Sequence, residues 1–170
     1  MDAFIDNWRR ELPDLDQPVF DFVKRAARLG QLLEEALVEC LAPWSLGKAD
    51  YSVLSILRVA GPPYELRPTE LRNRLLLTSG GVSNIVNRLE RLNLVERTPD
   101  PADGRSSWVR LTPDGVATAE ETIRAWAAVQ EQMLSGLAPQ LAQQGSDVLR
   151  TALLTLGDRE PVAPVSRQPA

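Results

Sequence analysis

Apolar residues recur at the three- to four-residue spacing of amphipathic helices over most of this chain of 170 residues. Long helices are predicted from about residue 17 to 42, at 116–134 and near the C-terminus. The first stripe comprises Val19, Phe22, Val23, Ala26, Leu29, Leu33, Ala36, Leu37, Cys40 and Leu41, and the last comprises Val148, Leu149, Ala152, Leu153 and Leu156. The pattern therefore predicts a mainly α protein.

Residues 78–92 predict a further helix whose two faces differ sharply. The apolar stripe is Val82, Ile85, Val86, Leu89 and Leu92, and the outward positions are Ser83, Asn84, Asn87, Arg88 and Arg91, with Glu90 as the one acid. Asn and Arg side chains match the donors and acceptors of bases in the major groove, and Ser reaches bases or phosphates. The outward face is therefore typical of a DNA-reading helix.

The start of this helix is suited to an anion. Thr78 or Ser79 can cap it, and Gly80 and Gly81 remove side chains from its first turn. Unpaired N–H groups at such a turn favour a phosphate, and glycine allows a DNA backbone to approach. The alternative is an ordinary capped helix whose glycines relieve packing.

A hairpin follows the polar-faced helix. Residues 94–96 begin a strand, residues 100–104 form the turn, and residues 108–111 return. Arg105 lies at the tip, where Asp103 can hold it extended toward a minor groove. The alternative is a surface hairpin with a solvated arginine.

Upstream, Pro68 opens a short helix with Leu71 and Leu75 facing inward, and a tight turn leads from it into the polar-faced helix. This order of elements is a helix-turn-helix, and the hairpin makes it winged.

Five short segments between Leu77 and Gly115 form a specific series. They are Leu77-Thr78-Ser79-Gly80, Arg88-Leu89-Glu90, Asn93-Leu94-Val95-Glu96-Arg97, Asp100-Pro101-Ala102-Asp103-Gly104-Arg105 and Val109-Arg110-Leu111-Thr112-Pro113-Asp114-Gly115. The series resembles the MarR family of winged helix-turn-helix transcriptional regulators, and its close match covers about a third of the chain. Asn93 stands where the family usually has glycine, which Asn tolerates because it adopts the left-handed conformation. Gly104 replaces a common arginine and leaves the wing relying on Arg105.

The resemblance implies a winged helix-turn-helix with a two- or three-stranded wing sheet, and long helices that form a dimerisation domain. We expect an N-terminal arm and dimerisation helix at 1–45, the DNA-binding lobe at 46–112, C-terminal dimerisation helices at 113–157 and a flexible tail at 158–170. DNA contacts are expected at Thr78, Ser79, Gly80, Ser83, Asn84, Asn87, Arg88 and Arg105.

The three long helices carry more apolar surface than a small lobe needs for its own burial, which predicts a homodimer. The alternative is that the helices pack only on each other. A two-fold dimer presents two reading helices about one turn of DNA apart and so predicts a palindromic operator on double-stranded DNA.

Charge is distributed unevenly along the chain. The net charge is −4, yet residues 67–112 hold eight arginines against five acids. A basic lobe on an acidic body is consistent with DNA binding that is oriented by the local field.

The residue inventory argues against several classes of protein. With one cysteine and no histidine, the chain offers no zinc site, no disulfide framework and no Ser/His or Cys/His nucleophile pair. No nucleotide fingerprint follows Gly80-Gly81, and no cofactor is expected. We expect no enzyme. Charges interrupt every long apolar run, so we also expect a cytoplasmic protein without a membrane partner.

A small-molecule effector is expected on two grounds. Large aromatic surfaces such as Trp8 and Trp44 can line a cleft, and the N-terminal segment together with residues 61–68 resembles the urate-responsive branch of the family. In that resemblance Trp8 and Asp50 match ligand-holding positions, whereas Ile85 stands where the branch has arginine. We therefore expect an aromatic or anionic ligand held by Trp8, Trp44 and Asp50, which releases a repressor from DNA.

Two other functions stay open. A redox-sensing repressor acting through Cys40 is disfavoured, because that thiol lies on an apolar stripe beside Glu39, with no adjacent cation. The second is a winged-helix module that contacts proteins and does not bind DNA.

Overall fold

The computed structural model describes residues 1–15, 18–75, 78–99 and 107–158. Within these ranges the chain forms seven α-helices and one three-stranded sheet. The helices are α1 (Asp2–Glu11), α2 (Pro18–Leu41), α3 (Lys48–Val59), α4 (Pro68–Leu75), α5 (Ser79–Arg91), α6 (Pro113–Met133) and α7 (Pro139–Thr155), and the strands are β1 (Glu65–Leu66), β2 (Val95–Pro99) and β3 (Ser107–Leu111). No helix in these ranges is both long and apolar enough to cross a membrane.

Helix α1 folds back on the first half of α2. Ile5 is fully buried between them. Ion pairs hold both ends of this hairpin: Arg25 Nη2 lies 2.9 Å from Asp2 Oδ1, and Arg9 Nη2 lies 2.6 Å from Asp21 Oδ2. The pairing fixes α1 against α2 while leaving the other face of α1 exposed.

The core lies where the second half of α2 meets α3, α5, α6 and the sheet. Its fully buried apolar residues include Leu41, Val53, Leu54, Leu57, Leu66, Leu71, Leu89, Val109 and Ala119. One ion pair at its edge joins α3 to α6, since Arg58 Nη2 lies 2.7 Å from Glu120 Oε1. The hydrogen bond from Arg58 lowers the pKa of Glu120.

The sheet is antiparallel in the order β1-β3-β2. Strand β2 pairs with β3 from Val95 opposite Leu111 to Pro99 opposite Ser107. Strand β1 adds only two residues, with Glu65 opposite Arg110, and Arg110 Nη2 lies 2.6 Å from Glu65 Oε2. The predicted hairpin strands are confirmed, and the sheet is the three-stranded form of the two that the sequence allowed.

The junction between α5, β2 and α6 is built on short-range hydrogen bonds. Asn93 has a φ of 57°, as its place at the helix end predicts. Leu94 N then donates to Leu89 O at 2.9 Å, which satisfies a carbonyl at the helix end. Thr112 N donates to Leu94 O at 3.1 Å, and Thr112 Oγ1 donates to Asn93 O at 2.7 Å. These bonds fix the start of α6 against the end of α5.

One apolar position is a correction to the prediction. Leu92 was expected in the buried stripe of the polar-faced helix, but 45% of its surface is exposed. It lies after the last helical residue, where the chain has begun to leave the helix axis. Val82, Val86 and Leu89 are buried as predicted, and Ile85 is half-buried.

Helix α7 packs least within the chain, because none of its residues is buried. Leu141, Val148, Leu149, Leu153 and Leu154 are each more than one third exposed. The apolar stripe predicted there is thus present on the helix but is not covered by the chain itself.

Candidate nucleic-acid interface

The polar face of α5 is the exposed face. Gly80, Ser83, Asn84, Asn87 and Arg91 are all exposed, and the apolar stripe beneath them contacts the core. The periodicity of the sequence separates the two faces because each is continuous along the helix.

Thr78 caps α5. Its Oγ1 accepts a hydrogen bond from Gly81 N at 3.2 Å. A β-carbon added at Gly80 would meet nothing within 4 Å, so the first turn is open to a neighbour. The N–H groups of such a turn can donate to a phosphate oxygen. The side chain of Ser79 lies outside the described residues, and so do Arg105 and the rest of the predicted wing tip.

Arg88 connects α5 to the segment that begins α3. Its Nε lies 3.0 Å from Asp50 Oδ2, and its Nη2 donates to Ser45 O at 2.7 Å. Asp50 is buried and also accepts from Gly47 N at 2.8 Å, which caps α3. Arg88 is therefore bound to the body of the lobe, although 49% of its side chain stays exposed.

Asn87 is held from the opposite side of α5. Its Oδ1 accepts a hydrogen bond from Arg97 Nη2 at 2.8 Å, and Arg97 lies on β2. Arg97 Nε lies 3.1 Å from Glu90 Oε2. The guanidinium of Arg97 on β2 therefore binds two residues of α5, Asn87 and Glu90.

Ser83 and Asn84 differ from these two neighbours. Both side chains are exposed, and neither makes a hydrogen bond with another described residue. The exposed face of α5 thus has a pair of uncommitted polar side chains, together with Asn87 and Arg88, which are anchored to different elements.

Exposed arginines lie on α5 and on the α4 segment that packs against it. Arg67, Arg72 and Arg91 are exposed, and the Arg67 guanidinium lies 4.8 Å from the centre of the Trp108 ring, which fixes a charge at the root of the wing. Such charges favour contact with the phosphates of nucleic acid.

The three predicted ligand residues lie in different surroundings. Trp8 contacts the edges of Phe4 and Phe20 at the start of α2, at 6.2 and 6.4 Å between ring centres. Trp44 follows the end of α2, and its Nε1 donates to Glu121 Oε2 at 3.2 Å. A helix of the length of α2 spans about 36 Å. Trp8 and Trp44 therefore do not share a cleft within one chain, and Asp50 is occupied by Arg88 and Gly47.

Cys40 is a free, half-buried thiol that packs against the core. Within the described ranges, no group of three or more His, Cys, Asp and Glu residues is arranged to hold a metal ion.

Sequence reasoning missed Arg97 and the carbonyl of Ser45. Arg97 lies in one of the five motif segments, but the sequence assigns it no role, because a strand residue contacts a helix residue ten positions earlier only after β2 has folded back on α5. The Ser45 carbonyl is 43 residues from Arg88, and a backbone acceptor leaves no trace in side-chain patterns.

These elements define the class. Helices α4 and α5 are separated by three residues and are followed by the antiparallel strands β2 and β3, and this order of elements is that of a winged helix-turn-helix. The family model described as "MarR family" matches residues 44–106. The multiple antibiotic resistance protein MarR of Salmonella typhimurium is 30% identical over 108 residues, which are 64% of this chain and 73% of that protein. The chain belongs to the MarR family.

Two further comparisons agree. The HTH-type transcriptional regulator PecS of Dickeya dadantii is 27% identical over 131 residues, covering 77% of this chain and 79% of that protein. A mutant MarR from E. coli complexed with operator DNA has the same fold, with a TM-score of 0.69 and 23% identity over 86% of this chain and 97% of that one. Members of this family are transcriptional regulators, so the chain is a regulator and not an enzyme.

Proposed function

We propose that this regulator binds double-stranded DNA sequence-specifically as a homodimer, and that it represses transcription until a small aromatic or anionic ligand releases it. The observation that carries the proposal is the exposed face of α5, where Ser83 and Asn84 stand uncommitted beside the capped, open first turn. A helix with such a face beside a wing hairpin fits a major groove.

Three properties support DNA over a protein partner. The face contains hydrogen-bonding groups that match base edges, and the helix N-terminus is free of a side chain at Gly80. Arg91 on the same helix is exposed, and so are Arg67 and Arg72 on the α4 segment. A protein-binding surface usually has an apolar centre, whereas the apolar stripe of α5 is buried. The E. coli relative complexed with operator DNA has the same arrangement of elements. Arg105 is added to the proposed contacts from the sequence alone.

The homodimer is supported by uncovered apolar surface. A groove of about 840 Å³ runs between α2 and α7 and is lined by Leu29, Leu134, Leu137, Leu141, Leu149 and Leu153, among others. Phe4, Val19 and Val23 are further exposed apolar residues on α1 and α2. Exposed apolar patches of this extent mark interfaces. A second copy, related by a two-fold axis, covers the same patch on both chains and places two α5 helices for a palindromic operator.

Release by a ligand is supported by the position of Arg88. Asp50 at the start of α3 binds Arg88 of α5. A ligand that displaces this carboxylate or moves α3 therefore changes the position of α5 relative to the rest of the lobe. The ligand lowers DNA affinity by the difference in its own affinity for the two arrangements. Trp8 and Trp44 stay proposed ligand contacts. Because they are far apart in one chain, they contribute to one pocket only if the partner subunit brings the second tryptophan.

The test is fluorescence anisotropy with a labelled duplex from immediately upstream of the coding region, titrated at several salt concentrations. We expect Asn84→Ala to cost about 1–3 kcal/mol and to relax base preference, and Arg91→Ala to weaken all duplexes and reduce the salt slope by about 1. Arg124→Ala removes the same charge from a side chain that lies on α6 and is 76% exposed, and it should leave DNA binding unchanged. No salt-dependent binding to any duplex would contradict the proposal and favour a protein-interaction module.

The same assay tests release. Aromatic carboxylates and purine-type anions are added to the preformed complex, and a mild oxidant is added in a separate sample. We expect an anion to release DNA from the wild type, and we expect the oxidant to have the same small effect on wild type and Cys40→Ser, because the thiol packs against the core. Release by oxidant that is lost in Cys40→Ser would assign the signal to that cysteine.

A further inference from the structure

The amide of Asn87 has a fixed orientation. Its Oδ1 faces Arg97 Nη2 at 2.8 Å, and a guanidinium has only donors. Only one of the two amide orientations can therefore pair with Arg97, and it is the one with Oδ1 toward β2. Because an amide is planar and its oxygen and nitrogen diverge from Cγ, Nδ2 then points away from the wing.

Arg97 itself is held in place. Glu90 binds its Nε at 3.1 Å, and the strand that carries it pairs with β3 through Arg97 opposite Val109. The Arg97 and Glu90 side chains are only 34% and 31% exposed, so this pair is partly shielded from solvent. The amide of Asn87 is thus set by a side chain whose own rotamer is fixed, as a precise contact requires.

We propose that Arg97 is a positioning residue for base recognition, which makes Asn87 a donor-only reader of the major groove. This inference rests on the proposed DNA binding. Asparagine recognises adenine by using both groups at once, with its oxygen accepting from N6 and its nitrogen donating to N7. Because Oδ1 is turned toward Arg97 and away from the groove, Asn87 presents its Nδ2 hydrogens, which match the acceptors O6 and N7 of guanine or O4 of thymine.

The same geometry predicts which bases are disfavoured. Cytosine presents only its N4 amino donor to the Asn87 donor. Adenine presents one acceptor, N7, but its N6 amino donor stands where guanine has a second acceptor, O6. Arg97 thereby changes the base preference of a helix residue from a strand that itself need not touch a base. Asn84 has no such partner among the described residues and remains able to use both amide groups.

The test is selection of binding sites from a random duplex library with the dimeric full chain, followed by affinity measurements on single-base variants of the selected site. Asn87→Ala first identifies the base pair that this residue reads, because preference is lost at that pair. At that pair we expect guanine or thymine in the wild type, favoured over adenine by about fivefold, the worth of about one hydrogen bond.

Arg97→Met keeps an unbranched apolar stem but removes the guanidinium and its donors. The amide is then free to turn, and we expect the preference over adenine to fall within about twofold or to reverse. Arg97→Lys restores one donor and should recover the wild-type preference. Arg124→Met is the matched control, because it makes the same change at an exposed arginine of α6, away from Asn87, and should leave the preferred base unchanged.

Asn87→Asp is a second, independent variant. It keeps the contact with Arg97 but replaces the amino group by oxygen, so we expect preference to move toward cytosine, whose N4 amino group donates. Thermal unfolding of each variant separates lost folding from altered reading.

The outcomes distinguish this inference from the proposed function. If the wild type selects no duplex, DNA binding fails and the role of Arg97 fails with it. If the wild type selects a site but Arg97→Met keeps the same preference at the pair read by Asn87, the positioning role alone is overturned. Adenine as the preferred base in the wild type, or no change in any base preference with Asn87→Ala, would also overturn it.

Discussion

Among the glycines whose surroundings the structure describes, Gly115 should be the hardest to replace. It is buried in the first turn of α6, and a β-carbon built on it would lie 1.8 Å from Leu94 O and 2.8 Å from Leu94 C. The obstacle is backbone, so no side-chain rotation can relieve it. Gly115→Ala must therefore move the start of α6 away from the end of α5, by roughly 1.5 Å in an interior that resists compression.

The cost can be worked from the bonds at this junction. Thr112 N donates to Leu94 O, Gly115 N donates to Thr112 Oγ1 at 2.9 Å, and Thr112 Oγ1 donates to Asn93 O. A shift of that size stretches at least the first of these, at about 1 kcal/mol per hydrogen bond. Overpacking adds about 1–3 kcal/mol. We expect Gly115→Ala to lower the free energy of unfolding by about 3 kcal/mol or more.

The assay is urea denaturation followed by tryptophan fluorescence and circular dichroism, at one fixed protein concentration because subunit association shifts the apparent stability. Gly80→Ala is the matched control, since it makes the same change in the first turn of α5, where nothing lies within 4 Å. It should be neutral or slightly stabilising. A Gly115→Ala protein within about 1 kcal/mol of wild type would refute this account of the junction.

Three further predictions use other parts of the chain. Gly80→Ala should weaken DNA binding by about tenfold in anisotropy while keeping its stability, because a methyl group there blocks a charge-assisted phosphate contact; equal affinity would argue against close backbone approach. Leu153→Glu should convert the dimer to monomer in analytical ultracentrifugation, whereas Gln144→Glu, outside the apolar groove, should not; a dimer in both would place the interface elsewhere. Arg58 lowers the pKa of Glu120 in the folded state from its ordinary value of 4.5. The stabilisation from that carboxylate is therefore complete above pH 4.5 and is lost as the pH falls through the lowered pKa. Glu120→Gln should flatten the acid side of the stability curve, and an unchanged slope would contradict this linkage.

The parts of the fold that sequence predicts are those set by local rules. The apolar stripe of α5 requires only a spacing, and the left-handed Asn93 requires only a residue that tolerates a positive φ after a helix. Strand β1 could not be located, because two residues carry no alternation and because the buried acid Glu65 pairs with Arg110, which lies 45 residues further along the chain. Leu92 was misplaced because periodicity does not say where a helix ends.

The residues of the candidate site were predictable from the sequence, but the contacts that hold them were not. Counting positions places Asn84, Asn87 and Arg88 on one face of the helix, but it does not show which of these side chains is bound to another element. The folded chain separates them, because Arg97 comes from β2 and Asp50 from α3. Contacts between elements far apart in sequence depend on tertiary packing, which no single periodicity encodes.

These contacts link α5 to two different parts of the DNA-binding lobe, the wing strand β2 and the segment at the start of α3. Asn87 and Arg88 are consecutive, but one is bound to the wing and the other to the segment before α3. A displacement of the wing therefore changes the orientation of the Asn87 amide first, whereas a displacement at α3 changes the position of Arg88 first. Base preference and overall affinity are thereby separable in one helix. Variants of Arg97 should alter which duplex is chosen, and variants of Asp50 should alter how tightly any duplex is held.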